Sequence, residues 1–359
     1  MARILIDARS LADATGGGIP RVARIWIKQQ TTETNDVKRI TNNDDPLGQK
    51  TWDAGRATPD EFACVTTGMK PSAIVKDFCE QNNLKYLHLR IPNKLWTLGC
   101  LLGIASLTRS AERRIGKIDK VLLPNLGFTG KLYRPYDLLL HDLSFLLEPR
   151  WFSWKRRLWH KLMPVKRLIR QADHLDCVSE RTRRDAIRLC GADANRTSRF
   201  VFDPTLPETE AQRPAWLSPN VNRFILMLGG SDARKNTGTA LAAISAYNFT
   251  NPEKYLVPVV LGAKKCPTHG QTSLPCIVNK NTVTDNELAY LYKHAAALLY
   301  PSWYEGFGLP LHEARAFGTP CVASTAGALP ETAPPDTLFC NPAKPHEWLA
   351  AIELICNKT

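Results

Sequence analysis

The chain has 359 residues, 44% of them hydrophobic, with 47 basic and 34 acidic side chains and a formal net charge of +13. That length predicts two domains at ~150 residues each, and the composition excludes wholesale disorder. No apolar run reaches the ~20 residues of a bilayer-crossing helix. The nearest, residues 95–107 (LWTLGCLLGIASL), reads as a core helix, with an interfacial role as its alternative. The ten cysteines show no C-x-x-C pair and no zinc spacing, so they read as free thiols of a cytosolic protein.

In chain order, MARILIDARS reads directly as a strand over Ala2–Asp7, without the basic, apolar and small segments of a signal peptide. A loop containing Gly16, Gly17 and Gly18 then opens a helical stretch. Apolar runs at Lys120–Leu123, Leu138–His141 and Leu175–Val178 have the composition of buried parallel strands, each followed by helix-like sequence. Residues 203–220, rich in Pro, Thr and Glu, read as a linker. Strands resume at Phe224–Leu228, Tyr255–Leu261 and Leu298–Tyr300. Repeated βα units on both sides of a linker predict an α/β protein with two doubly wound, Rossmann-like domains facing a cleft. The expected limits are 1–203 and 221–359, joined by 204–220.

Two βα loops of the second half have the residues for chemistry. Gly229-Gly230-Ser231-Asp232-Ala233-Arg234-Lys235-Asn236 follows a strand. Its small residues, Gly230 among them, permit close backbone approach, and Arg234 and Lys235 can neutralise a pyrophosphate. A Walker A loop would need Gly at 234 and Ser or Thr at 236, so an ATPase reading fails. The second loop is Glu305-Gly-Phe-Gly-Leu-Pro-Leu-His-Glu313, between an apolar strand and a helix-forming segment. Gly306 and Gly308 let a ligand approach the backbone, and Pro310 suits a first helical turn. A strand, glycine loop and helix in this order aim N–H groups at an anion. Glu305 at the loop mouth and Glu313 a turn into the helix can each meet a hydroxyl-rich group of one ligand.

The run E-G-F-G-L-P-x-x-E-A with Gly318-Thr-Pro-Cys-Val-Ala-Ser resembles the E-x7-E signature of retaining GT-B glycosyltransferases of family 4, the glycogen synthase and mannosyltransferase-like group. The resemblance extends from about residue 3 to 355. It implies that Glu305 faces the donor sugar, that the Phe307, Gly308 and Leu309 backbone contacts it, and that Glu313 binds the nucleotide ribose. Arg234 and Lys235 would then hold the donor phosphates and stabilise the departing nucleoside diphosphate. Thr15-Gly-Gly-Gly-Ile-Pro-Arg-Val resembles the family's T-G-I-G-R-Y, which implies that the amides of Gly17 and Gly18 face those phosphates. This chain has an additional glycine, and Pro20 stands where the family has its second.

Leu138-Leu-Leu-His-Asp-Leu-Ser-Phe145 resembles the family's H-D-x-x-F strand end, which implies that His141 lies beside the transferred sugar, with Asp142 orienting a loop or an acceptor hydroxyl. Val283 and the residues before it would lie near the nucleotide base. The chain has no D-x-D, so the implied enzyme is a hexosyltransferase needing neither metal nor cofactor, its donor a GDP-, UDP- or dTDP-sugar and mannose the leading hexose. Family members continue past the segment aligned with Glu347–Ile355 in terminal helices, so the resemblance implies a shortened chain or light interdomain packing.

Charge points to a partner. Residues 150–190 contain twelve Lys or Arg against four acidic residues. Trp151, Trp154, Leu158, Leu162 and Val165 recur there at helical spacing among Lys155, Arg156, Arg157 and Lys161, with Pro164 interrupting the pattern. A basic amphipathic helix with tryptophans suits an anionic membrane surface, through 150–170, on the cytoplasmic face. Packing of the stripe on its own sheet is the alternative. No nucleic-acid motif accompanies the basic charge. The leading expectation is a transferase building a cell-surface glycan or acting on a lipid-linked acceptor. A sugar-nucleotide epimerase of the same fold and a catalytically silent scaffold are the alternatives.

Overall fold

The computed structural model describes residues 2–12, 18–40, 60–204, 209–230, 232–263, 266, 276–279 and 283–357, with side chains of the first helix described to residue 32. Gly17, Ser231 and the predicted linker's residues 205–208 lie outside them. The chain divides into two compact units. The first comprises 1–141, 158–178 and 183–202; the second comprises 142–157, 179–182 and 203–359.

Among the described residues the first unit has seven strands: β1 (Arg3–Asp7), β2 (Glu61–Thr67), β3 (Lys85–Leu89), β4 (Lys120–Leu123), β5 (Tyr136–Leu140), β6 (His174–Cys177) and β7 (Thr197–Arg199). They lie in the order β3-β2-β1-β4-β5-β6-β7, and every pairing is parallel. All five residues of β5 are buried, the signature of a parallel strand covered on both faces.

The second unit repeats the scheme with β8 (Phe224–Leu228), β9 (Val257–Leu261), β10 (Ile277–Asn279), β11 (Ala297–Tyr300), β12 (Cys321–Ser324) and β13 (Leu338–Cys340). Their order is β10-β9-β8-β11-β12-β13, again all parallel. Ile225 and Met227 pack with Ala240, Ile244, Trp348 and Ile352, while Phe224 and Leu226 pack with Leu291, Leu311 and Ala314. Alternate side chains of β8 therefore enter two separate cores. Helices 237–250 and 345–356 cover one face, and helices 285–294 and 309–316 cover the other.

Strand order reverses beside β1 in the first sheet and beside β8 in the second, so connections diverge between β1 and β4 and between β8 and β11. Crevices at the carboxyl ends of strands at such points are where doubly wound sheets bind ligands.

Two sequence expectations need correction. Residues 95–107 do not form a core helix: the helix spans Asn93–Leu101, and Leu95, Leu98, Leu101, Leu102 and Ile104 are exposed, with Trp96 and Gly99 buried. Nor are all ten cysteines free, because Cys266 and Cys276 form a disulfide. One follows β9 and the other precedes its neighbour β10, which brings their Cα atoms to 5.9 Å.

Candidate active site

The site of the second unit grows from the ends of β8 and β11. After β8 the chain must turn sharply, and Gly229 does so with φ +79°. Its N–H and that of Gly230 both donate to the Leu261 carbonyl, at 2.9 and 3.0 Å. Asp232 then caps a short 3-10 turn by accepting from the Arg234 N–H. Asn236 ends the turn in the left-handed region with φ 51°. Its side-chain amide donates to the Pro301 and Pro342 carbonyls, at 3.1 and 2.8 Å. The Trp303 N–H donates to the Arg234 carbonyl at 2.8 Å. The basic loop is thereby stitched to the loop after β11.

That stitching brings three predicted residues together. Lys235 Nζ lies 2.8 Å from Glu305 Oε1 and 2.7 Å from the Tyr300 hydroxyl. Arg234 reaches Asp142 at 3.1 Å and Asp232 at 3.4 Å. Among the described residues nothing accepts from its buried Nε–H. Asp142 is fixed in turn: its other oxygen accepts from the Ser144 N–H and hydroxyl at 2.9 and 2.6 Å.

Burial alone would push the Glu305 carboxyl up, but Lys235 and Arg234 outweigh it and hold the group below its ordinary range. Burial would likewise lower Lys235 and Arg234, and the facing carboxylates, Glu305 first, raise both. The Tyr300 phenol is pushed up to about 12, by burial first and Glu305 second, so it stays protonated. The cluster sets the half-buried cations Arg234 and Lys235 against the buried Glu305 carboxylate, beside a neutral phenol.

The Glu305–Glu313 loop holds its shape by close packing. A Cβ on Gly327 would stand 2.5 Å from the Glu305 nitrogen. Gly308, φ +98°, precedes the helix Leu309–Ala316, and a Cβ there would meet Leu329 at 2.5 Å. The Phe307 carbonyl accepts from the Thr332 hydroxyl, and the Phe307 ring stacks on His312 with centroids 5.2 Å apart. Glu313 lies buried one turn into the helix and accepts from the Tyr292 hydroxyl at 2.7 Å. Val283 is half-buried against the core on that face of the sheet, just before the Thr284–Glu287 capping box.

Of the residues expected in the first unit, His141 follows β5 and makes a 2.9 Å contact from Nε2 to the Pro124 carbonyl. Gly18 begins the helix Gly18–Ile40 and is exposed, while Gly17 lies outside the described residues. The first unit also has a cavity of about 310 Å³, lined by Asp7, Arg9, Asn93, Trp96, Phe128 and Trp159 among others. It opens where β1 and β4 diverge. Arg9 is held there by Asp7, through Nε at 2.7 Å and a second nitrogen at 2.5 Å, and donates to the Phe128 carbonyl at 2.8 Å. Sequence reading missed this pair, because Asp and Arg two apart at a strand end resemble solvated residues. It also missed Tyr300, Tyr292 and Asp232, which support the predicted groups.

Residues 223–358 match the family model described as Glycosyl transferases group 1. The chain is 27% identical over 240 residues to O-antigen chain mannosyltransferase B of Escherichia coli. That alignment takes in 61% of this chain and only 60% of the relative's length. Among solved structures, sucrose-phosphate synthase of Thermosynechococcus elongatus matches with a TM-score of 0.60 at 16% identity, over 99% of this chain and 90% of that one. A protein of Listeria monocytogenes assigned as a UDP-N-acetylglucosamine 2-epimerase matches with a TM-score of 0.52 at 11% identity, over 99% and 88%. The chain has the GT-B fold of two parallel-sheet, Rossmann-like domains, and its second domain is similar to the group 1 glycosyl transferases.

Proposed function

We propose that the protein is a retaining hexosyltransferase that takes a sugar, mannose first, from a nucleoside-diphosphate donor to a cell-surface glycan or lipid-linked acceptor. The observation that carries this reading is the pair of half-buried Lys235 and buried Glu305 beside Arg234, at the point where β8 and β11 diverge. It lies within the residues matched by the glycosyl transferase model, and the Escherichia coli relative is named as a mannosyltransferase. The Arg234 Nε–H, which has no acceptor among the described residues, suits an anion.

In this reading the donor diphosphate lies against Arg234 and Lys235, and Glu313 binds the ribose. The bond from the anomeric carbon to the phosphate oxygen breaks, and the fixed cations take up the growing negative charge without a metal ion. Loss of one such preorganised group costs ~10²–10³ in rate. The acceptor hydroxyl attacks the same face of the sugar, and its proton passes to the departing phosphate. Glu305 positions the sugar and keeps Lys235 charged and directed. Acceptor and donor meet at a cytoplasmic membrane face, with the basic segment 150–170 on anionic lipid.

Transfer from a panel of GDP-, UDP- and dTDP-sugars tests the assignment. Wild type is expected to release one nucleoside diphosphate and Glu305→Ala none. Full turnover by Glu305→Ala would break the assignment, and epimerisation of the donor without transfer would favour an epimerase of the same fold.

A further inference from the structure

The helix Asn93–Leu101 has a two-sided build. Trp96 and Gly99 face inward, with Trp96 donating to the Phe128 carbonyl at 2.8 Å. Leu95, Leu98, Leu101 and Leu102 lie in one outward stripe at three- and four-residue spacing, all exposed. The helix ends in a Schellman turn: Gly103, φ +74°, donates to the Cys100 carbonyl, and Ile104 donates to the Gly99 carbonyl. In such a turn an apolar residue at the Ile104 position usually packs back on the helix. Its counterpart here is Gly99, which offers no side chain, and Ile104 is left 81% exposed.

A second helix joins this face. Trp154–Leu162 has no buried residue, and in the part that belongs to the first unit Leu158 and Leu162 are exposed beside Lys161. Its alternative expectation, a stripe packed on its own sheet, does not hold. Trp159 sets an edge against Phe128 with centroids 5.4 Å apart, and both rings line the cavity that Trp96 also lines. Two helices with apolar stripes turned to water therefore border one pocket.

We infer that helix 93–101 and residues 158–162 of the second helix form one docking surface for an anionic lipid bilayer, with Leu95, Leu98, Leu101, Leu102 and Ile104 entering the acyl region beside the pocket. The inference deepens the lipid-linked acceptor reading and rests on it for the pocket's occupant. Charge selects this partner over a second copy of the chain. Residues 90–104 and 158–172 contain no acidic side chain, whereas Arg90, Lys94 and Lys161 are basic. Self-association across the face would oppose like charges; an anionic headgroup layer neutralises them while the leucines leave water.

The test is co-sedimentation with vesicles of phosphatidylcholine, with and without phosphatidylglycerol as the anionic lipid, alongside thermal shift by nucleotide sugars. Wild type is expected to bind the anionic vesicles. Leu98→Glu/Leu102→Glu should lose at least tenfold in partition at unchanged fold and donor shift, and Lys94→Glu/Lys161→Glu should lose mainly the dependence on anionic lipid. Wild type that ignores both vesicles, or a leucine variant that binds as well as wild type, would overturn the inference. So would a variant whose only change is loss of a dimer by ultracentrifugation. Vesicle failure with an intact donor shift would leave the donor assignment standing; vesicle binding with no donor shift would sink that assignment and keep the surface.

Discussion

A Cβ on Gly229 would stand 2.8 Å from Lys235 Cγ, because the lysine stem lies back across the turn on its way to Glu305. The glycine therefore makes the left-handed turn and leaves room for the side chain at once. Gly229→Ala should cost ~1–2 kcal/mol for the left-handed backbone alone and push Lys235 aside. Calorimetric titration is expected to find nucleotide-sugar affinity at least tenfold weaker with circular dichroism unchanged. Undiminished affinity would mean the turn does not set Lys235.

Removing one partner of the Lys235–Glu305 pair leaves a buried charge uncompensated, a loss of ~3–5 kcal/mol. Lys235→Met is accordingly expected to melt well below wild type, and Lys235→Met/Glu305→Gln to recover much of the difference while remaining inactive. Denaturant unfolding of the three proteins measures this. A double variant no better than the single would show the two residues act independently.

The same pair sets a pH window. The Glu305 carboxyl is held below its ordinary value, so its contribution is present above that value and lost as pH falls through the lowered one. Lys235 is raised, so its contribution is present below the ordinary lysine value and lost as pH rises through the raised one. The stability gap between wild type and the double variant should be widest near neutrality and narrow in acid and in strong base. A gap that is flat with pH would contradict the linkage.

Asp142 holds Arg234 while Ser144 holds Asp142. Asp142→Asn keeps the oxygen that Ser144 uses and removes a negative charge facing the guanidinium. Donor affinity should then rise severalfold, most clearly at low salt, because less of the Arg234 charge is neutralised before the phosphates arrive. Weaker binding would instead make Asp142 the residue that aims Arg234.

Much of this site was legible because parallel sheets place chemistry on βα loops, and the loops bearing Arg234, Lys235 and Glu305 follow strands that read as plain apolar runs. What escaped was the support. Tyr300 and Tyr292 look like strand and helix filler until the fold turns their hydroxyls toward Lys235 and Glu313. The three-residue strands Thr197–Arg199 and Leu338–Cys340 are too short to show a period. Apolarity alone could not tell that Leu95, Leu98, Leu101 and Leu102 face outward, since a buried and an exposed leucine stripe have the same spacing. The Cys266–Cys276 link depended on β9 and β10 being neighbours, which ten scattered cysteines do not encode.

The most direct test is thermal stabilisation by GDP-, UDP- and dTDP-sugars, with wild type beside Glu313→Ala. The account predicts that one nucleotide class raises the wild-type melting temperature and raises that of Glu313→Ala much less, which would locate the donor at the Glu313 helix and name its base. No shift with any donor, or an equal shift in both proteins, would contradict it.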